Sequence, residues 1–191
     1  SGQSWFHIDQ HPISKPGKQC IQGLVNLLPT SKEIGGNVVI PGSHKFFKDL
    51  PDEYHERLSK LPLEIDHFRF PNDDPKLSSD QAVMCHMEPG DMLLWDSRTI
   101  HCSNSGTSLD QETNTLIRAA SLICMMPKYL TSEDVLEQRR EAVDKLISTT
   151  NWTNSFRNAD EFPLILEAED REKYTWPKKP TLSEYQKSLI D

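Results

Sequence analysis

The 191-residue chain has no Cys-X-X-Cys pair, no internal repeat, no low-complexity tract and no apolar stretch approaching 18 residues. Each absence closes off a class of protein. Cys20, Cys85, Cys102 and Cys124 are scattered singly, which argues against a zinc ribbon or a dithiol redox motif. A chain of this length needs no disulfide staples, so free thiols in a reducing compartment are expected. Without a long apolar run there is no recognisable helical membrane span. No charged-then-apolar leader opens the numbering, and the expected setting is intracellular, cytoplasmic in the first instance. Positive charge is also short, with 21 Lys and Arg against 29 Asp and Glu and a formal charge of −8. A nucleic acid or an anionic membrane surface as the main partner would demand the opposite sign. Hydrophobic residues reach only 36% and prolines number 13, a loop-rich composition that is still far from disorder.

What is present reads as short strands between turns. Residues 20–29 form an apolar run ended by Pro29, Gly35-Gly36 turns the chain into 37–40, and Pro41-Gly42 turns it again. Residues 46–60 have helical spacing, 64–80 form a polar excursion, and 82–87 return to strand character. The segment 90–101 opens on a Gly-Asp turn and continues as an apolar, strand-like run; 92–95 and 116–125 read as two further strands, separated by a polar loop over 107–115. Turn-separated strands of this kind predict a mainly β barrel or sandwich over residues 1–127. Ser132 then caps a helix with Glu133 and Asp134 in its first turn and Val135, Leu136, Arg139, Val143, Leu146 and Ile147 at close to helical spacing. This helix and an irregular strap beyond Thr149 make up a C-terminal region, 128–191, expected to pack over the core.

The chemistry lies in His7, Asp9 and His101. On an extended segment, residues two apart point to the same side, so His7 and Asp9 converge. A third ligand brought from a distant strand by His101 leaves the opposite side of a metal open, the facial arrangement of non-haem Fe(II) oxygenases. Open coordination positions mean catalysis. Thiolates would instead have suggested a closed zinc site. Trp5, Gln22 and Trp95 are candidates to line the pocket. His11 continues the alternation, but Pro12 ends the strand there and makes His11 a neighbour of the site at most. His44, in a Pro-Gly-Ser-His turn, is expected to be structural.

Three ordered motifs carry a family resemblance: Trp5-Phe6-His7-Ile8-Asp9-Gln10, the Pro-Gly-Ser-His segment within 36–45, and Gly90 to His101. Together they resemble the phytanoyl-CoA dioxygenase family of Fe(II)/2-oxoglutarate oxygenases, and Thr149-Thr150-Asn151-Trp152 is similar to a C-terminal feature of some members. The resemblance implies a double-stranded β-helix, a jelly roll of the cupin kind, with peripheral helices. It implies that His7, Asp9 and His101 hold Fe(II), and that 2-oxoglutarate is oxidatively decarboxylated by O2 to succinate and CO2. A C–H bond of a small-molecule substrate is then hydroxylated.

The distal carboxylate of such a cosubstrate calls for a fork-shaped arginine. The family places one on the strand after its distal histidine, with a hydroxyl residue two positions past that histidine; Arg118 and Ser103 match. Arg118 lies further beyond His101 than the family's usual spacing, an excess the 107–115 loop has to absorb. Arg98 is the rival, placed on the opposite face by alternation from His101. The family's core also has a strand and helices ahead of its His-X-Asp strand. An upstream segment, or a separate chain, is therefore expected to cover the apolar edge and face that this barrel would otherwise expose. Alternatives are a non-catalytic metal-binding barrel acting as a scaffold or subunit, and a zinc hydrolase, for which no general base is evident. Asp9 disfavours a halogenase, whose halide would need the carboxylate's coordination position. No basic cluster suits a CoA tail, so the substrate class stays open beyond a small molecule.

Overall fold

The computed structural model describes residues 5–77, 79–107, 116–145, 147, 149, 152–156, 178 and 180–190. Most of the 107–115 loop and most of the expected C-terminal strap lie outside the described residues. Eight strands run in the order β1 His7–Ile8, β2 Ile21–Asn26, β3 Gly36–Val39, β4 Phe68–Arg69, β5 Val83–Met84, β6 Met92–Asp96, β7 His101–Asn104 and β8 Ala120–Met125. They form a five-stranded sheet, β4-β1-β7-β3-β5, and a three-stranded sheet, β6-β2-β8. The pairings of β1 with β4 and β7, of β3 with β5 and β7, and of β2 with β6 are all antiparallel. This mainly β, two-sheet arrangement is the jelly-roll class expected from the sequence. The four cysteines are not joined in disulfides. Among the described residues, no helix is long and apolar enough to cross a membrane.

Alternation divides the five-stranded sheet into two chemically distinct faces. Phe6 and Ile8 of the first strand region, Val38, Ile40, Phe68, Phe70, Ile100 and Cys102 share one buried cluster with Phe47, Leu50 and Leu58. The last three come from a helical layer: a 3-10 segment Ser43–Asp49, α1 Leu50–Glu53 and α2 His55–Leu58. The helical spacing over 46–60 is thus realised as three short pieces rather than one helix. Tyr54 closes the layer, packing edge-on against Phe68 and Phe70 at 5.5 Å and donating its hydroxyl proton to Asp74. His7 and His101, one residue out of phase with Ile8, Ile100 and Cys102, lie on the other face.

Two expectations need correction. The excursion 64–80 is not merely polar: it contains β4, which pairs His7 with Arg69 and Ile8 with Phe68. The pattern His67-Phe68-Arg69-Phe70 alternates polar and apolar residues, and Phe68 and Phe70 are 4% and 2% exposed. Their burial against the helical layer outweighs the surrounding proline and charge. Within 90–101 the strand expected at 92–95 forms as β6, but the strand-like run does not continue unbroken to His101. It breaks after Asp96, whose carboxylate accepts from the Arg98 amide, and Thr99 N–H closes the turn onto the Asp96 carbonyl at 2.8 Å. His101 therefore opens a new strand in the other sheet.

Turn chemistry holds these strands in register. Gly35 sits at φ +95°, and a Cβ there would collide with the Asn104 carbonyl, so only glycine lets β3 start beside the end of β7. In the loop between β1 and β2, buried Gln10 donates to the carbonyls of Lys15 and Gly17 at 2.5 and 2.6 Å and accepts from Ser97 Oγ. On β6, Met92 and Leu94 are 56% and 48% exposed, while Leu93 and Trp95 turn to the opposite face.

The chain divides into two compact units, Ser1–Ile123 and Cys124–Asp191. In the second, α3 Glu133–Asp144 starts where expected, with Ser132 Oγ accepting from Val135 N–H, and buries Leu136 and Ala142. A shorter helix, α4 Glu184–Ser188, begins with a capping box made by Ser183 and Gln186.

Ile8, fully buried between the two residues His7 and Asp9, tests whether this core sets the site. Ile8→Ala is expected to cost about 2–5 kcal/mol in denaturant unfolding, the range for truncating a buried aliphatic side chain. A loss indistinguishable from zero would show that the strand is held by something other than this cluster.

Candidate metal centre

The first ligand pair rests on a single antiparallel register. His7 lies directly opposite His101 across β1 and β7, with ring centroids 4.4 Å apart. Each imidazole is aimed by its own backbone: His7 Nδ1 is 3.0 Å from the Trp5 carbonyl and His101 Nδ1 is 2.8 Å from the Thr99 carbonyl. A carbonyl can only accept, so Nδ1 carries the proton in both rings and Nε2 keeps its lone pair for a ligand.

Both Nε2 atoms face the same carboxylate, His7 at 3.6 Å from Asp9 Oδ1 and His101 at 3.4 Å from Oδ2. The ligating atoms of His7, Asp9 and His101 all lie within 4.8 Å of one another. Asp9 follows β1 rather than belonging to it; its backbone N–H reaches the Ser97 carbonyl at 3.4 Å, which keeps it level with the histidines.

The His101 side is fixed through the Pro-Gly-Ser-His turn. Gly42 adopts φ +79°, and the buried Ser43 Oγ accepts from Ile100 N–H at 2.8 Å. The neighbouring Ile40 N–H bonds the Ile100 carbonyl at 2.9 Å. Ser43, which the sequence did not single out, thus anchors the residue next to a ligand. No such bond was visible in the motif, because Ile100 lies far along the chain.

The electrostatics favour a divalent cation. Burial lowers the His7 pKa to about 4, aided by repulsion from His101 and only partly opposed by the Asp9 charge, so the ring is neutral at pH 7. Burial works to raise Asp9, but the surrounding imidazoles of His101, His67 and His7 outweigh it and hold its carboxyl far below the usual range. Two neutral nitrogens and one anionic oxygen with no thiolate form a donor set suited to Fe(II). The residues present fit the metal.

The walls come from both sheets. Gln22, on β2, donates from Nε2 to Asp9 Oδ2 at 2.9 Å, and its Oε1 accepts from Trp95 Nε1 at 3.1 Å. The Trp95 ring lies 5.3 Å from His101, and Trp5 stacks almost parallel on His7 at 4.5 Å. All three expected pocket residues therefore reach the centre. Arg118 Nη1 donates to Ser103 Oγ at 2.9 Å and to the Asn104 carbonyl at 3.3 Å. Ser103 stands two residues from His101 on the same face of β7. Arg118 makes no ion pair among the described residues, and burial lowers its pKa.

Other candidates are engaged elsewhere. Arg98 forms a two-point pair with Asp96, at 2.8 and 2.7 Å, and lies over the Phe47 ring on the core side of the sheet. His11, fully buried, accepts from the Ile13 and Ser14 amides and caps a turn. One histidine escaped notice in the sequence: His67 Nδ1 lies 3.4 Å from Asp9 Oδ1. The alternation at 67–70 was the signal that could have found it.

Residues 1–111 match the sequence profile described as Phytanoyl-CoA dioxygenase (PhyH). The Ava biosynthesis cluster protein O of Aspergillus versicolor is 34% identical over 157 residues, 77% of this chain and 47% of that protein. Dioxygenase aneA of Aspergillus aculeatus is 25% identical over 79% of this chain and 46% of its own length. The chain thus spans about half the length of these curated relatives. The crystal structure of EctD from S. alaskensis with 2-oxoglutarate and 5-hydroxyectoine is 17% identical and covers 63% of this chain and 37% of that one. Its TM-score of 0.39 is too low to carry an argument.

If His101 is a ligand, His101→Ala should leave a folded protein whose Fe(II) affinity falls sharply. Calorimetric titration under anaerobic conditions reads this directly, and wild-type affinity in the variant would dismiss the triad.

Proposed function

The chain belongs to the phytanoyl-CoA dioxygenase family, and from that premise we propose that it works as an Fe(II)/2-oxoglutarate-dependent dioxygenase hydroxylating a C–H bond of a small-molecule substrate. The observation that carries the proposal is the convergence of two Nε2 lone pairs and one carboxylate, with an arginine nearby that pairs with no acid among the described residues. His7, Asp9 and His101 would hold the metal. Bound iron supplies the coupling of O2 reduction to 2-oxoglutarate decarboxylation, with succinate and CO2 as products.

The protein's share is orientation and charge. Neutral His7 binds without first losing a proton, and Asp9 offsets part of the cation's charge. Arg118, steadied by Ser103, receives the distal carboxylate of 2-oxoglutarate, an anion in the place where a structural ion pair would otherwise be needed. Gln22, itself held by Trp95, keeps Asp9 from rotating away. Trp5 and Trp95 shield the centre with aromatic surface, which excludes water and strengthens these interactions.

The test is succinate formation dependent on 2-oxoglutarate and Fe(II). Arg118→Ala should raise the KM for 2-oxoglutarate about 10- to 100-fold, the equivalent of losing one hydrogen-bonded charge contact of about 1.5–3 kcal/mol. Arg98→Ala should leave that KM near wild type, because its guanidinium is spent on Asp96. The reverse order would move the cosubstrate site to Arg98.

A further inference from the structure

His67 is a half-exposed histidine that the metal triad does not include, and nothing in the packing of the fold asks for it. Its side chain is 46% exposed, and among the described residues its one hydrogen-bonding contact is with Asp9. Both neighbours are tied down for other reasons. Asp66 pairs with Lys15 at 2.6 Å and accepts from the His11 amide at 3.3 Å, while Phe68 sits in the core cluster. Continuing the β1–β4 register by one residue beyond Ile8 and Phe68 sets position 67 opposite position 9. The backbone therefore delivers His67 to Asp9, and its ring settles 4.4 Å from that of His7, tilted by 39°.

The carboxylate is approached from two sides. Gln22 reaches Oδ2 from the three-stranded sheet, and His67 reaches Oδ1 from the edge strand of the other. An ionised carboxylate only accepts, so the His67 contact is a donation from Nδ1–H. A carboxylate that ligates through one oxygen has its plane set by whatever holds the other, and such outer partners govern affinity almost as the ligands do.

We propose that His67 is a positioning residue for the metal centre, orienting the Asp9 carboxylate by donating to it from the side opposite Gln22. This rests on the triad as metal ligands, and the experiment separates the two. Cobalt(II) is titrated into the full chain, reading affinity and the visible d–d spectrum, for wild type, His67→Ala, His67→Asn and His101→Ala. The apoproteins are compared by thermal unfolding.

The expected result is that His67→Ala weakens cobalt binding about 10- to 100-fold and shifts its spectrum. Its apoprotein should melt like wild type, since the side chain is half-exposed. His67→Asn, whose amide nitrogen can replace Nδ1 as a donor, should restore most of the affinity. If His67→Ala binds cobalt like wild type while His101→Ala does not, the positioning role fails and the triad stands. Equal losses in the Ala and Asn variants would likewise overturn it, since donation would then be irrelevant. If His101→Ala binds like wild type, the triad falls and this inference with it.

Discussion

The antiparallel pairing of His7 with His101 across β1 and β7 is the constraint on which the site depends. One backbone register sets two imidazoles side by side, and each ring is then aimed by the carbonyl two residues before it. The same alternation sends Ile8, Ile100 and Cys102 to the opposite face, into the cluster beneath the helical layer. A slip of one residue would put histidines in the core and aliphatics at the metal. The stability of the core and the geometry of the ligands are therefore two consequences of one register.

Charge placement follows from that geometry. Asp9 stays ionised despite burial because three imidazoles surround it, and His7 stays neutral because burial penalises its charged form. At neutral pH the centre thus presents a buried anion with a neutral His7 ring beside it. A dication answers that arrangement without displacing a proton from His7. Arg118, partly buried, is bound to the Ser103 hydroxyl and the Asn104 carbonyl, and to no acid among the described residues.

The two sheets divide the work. The five-stranded sheet carries His7 and His101 on strands whose reverse face is packed, with Asp9 just past the end of β1. The three-stranded sheet contributes Gln22 and Trp95, which reach across to Asp9 and His101. The polar excursion supplies both an edge strand for the core and His67 for the centre. Function at this site therefore draws on segments separated by most of the first 118 residues.

His7, Asp9 and His101 were legible in the chain because strand alternation and three ordered motifs are local patterns, and Ser103 and Arg118 followed from the resemblance those motifs carry. The helix after Ser132 was equally legible, since a cap and a periodic face act within a few residues. β4, the break after Asp96, the Ser43 anchor and His67 were not. The segment around Phe68 and Phe70 becomes a strand only because Tyr54 and the helical layer bury those rings, and Arg98, which alternation had already set on the face away from His101, is held there by Phe47 and Asp96. Ser43 matters through an amide more than fifty residues away, and His67 through a register with β1. The residue types and their local spacing determined the metal chemistry; burial and long-range pairing, which no short window of sequence contains, decided what surrounds it.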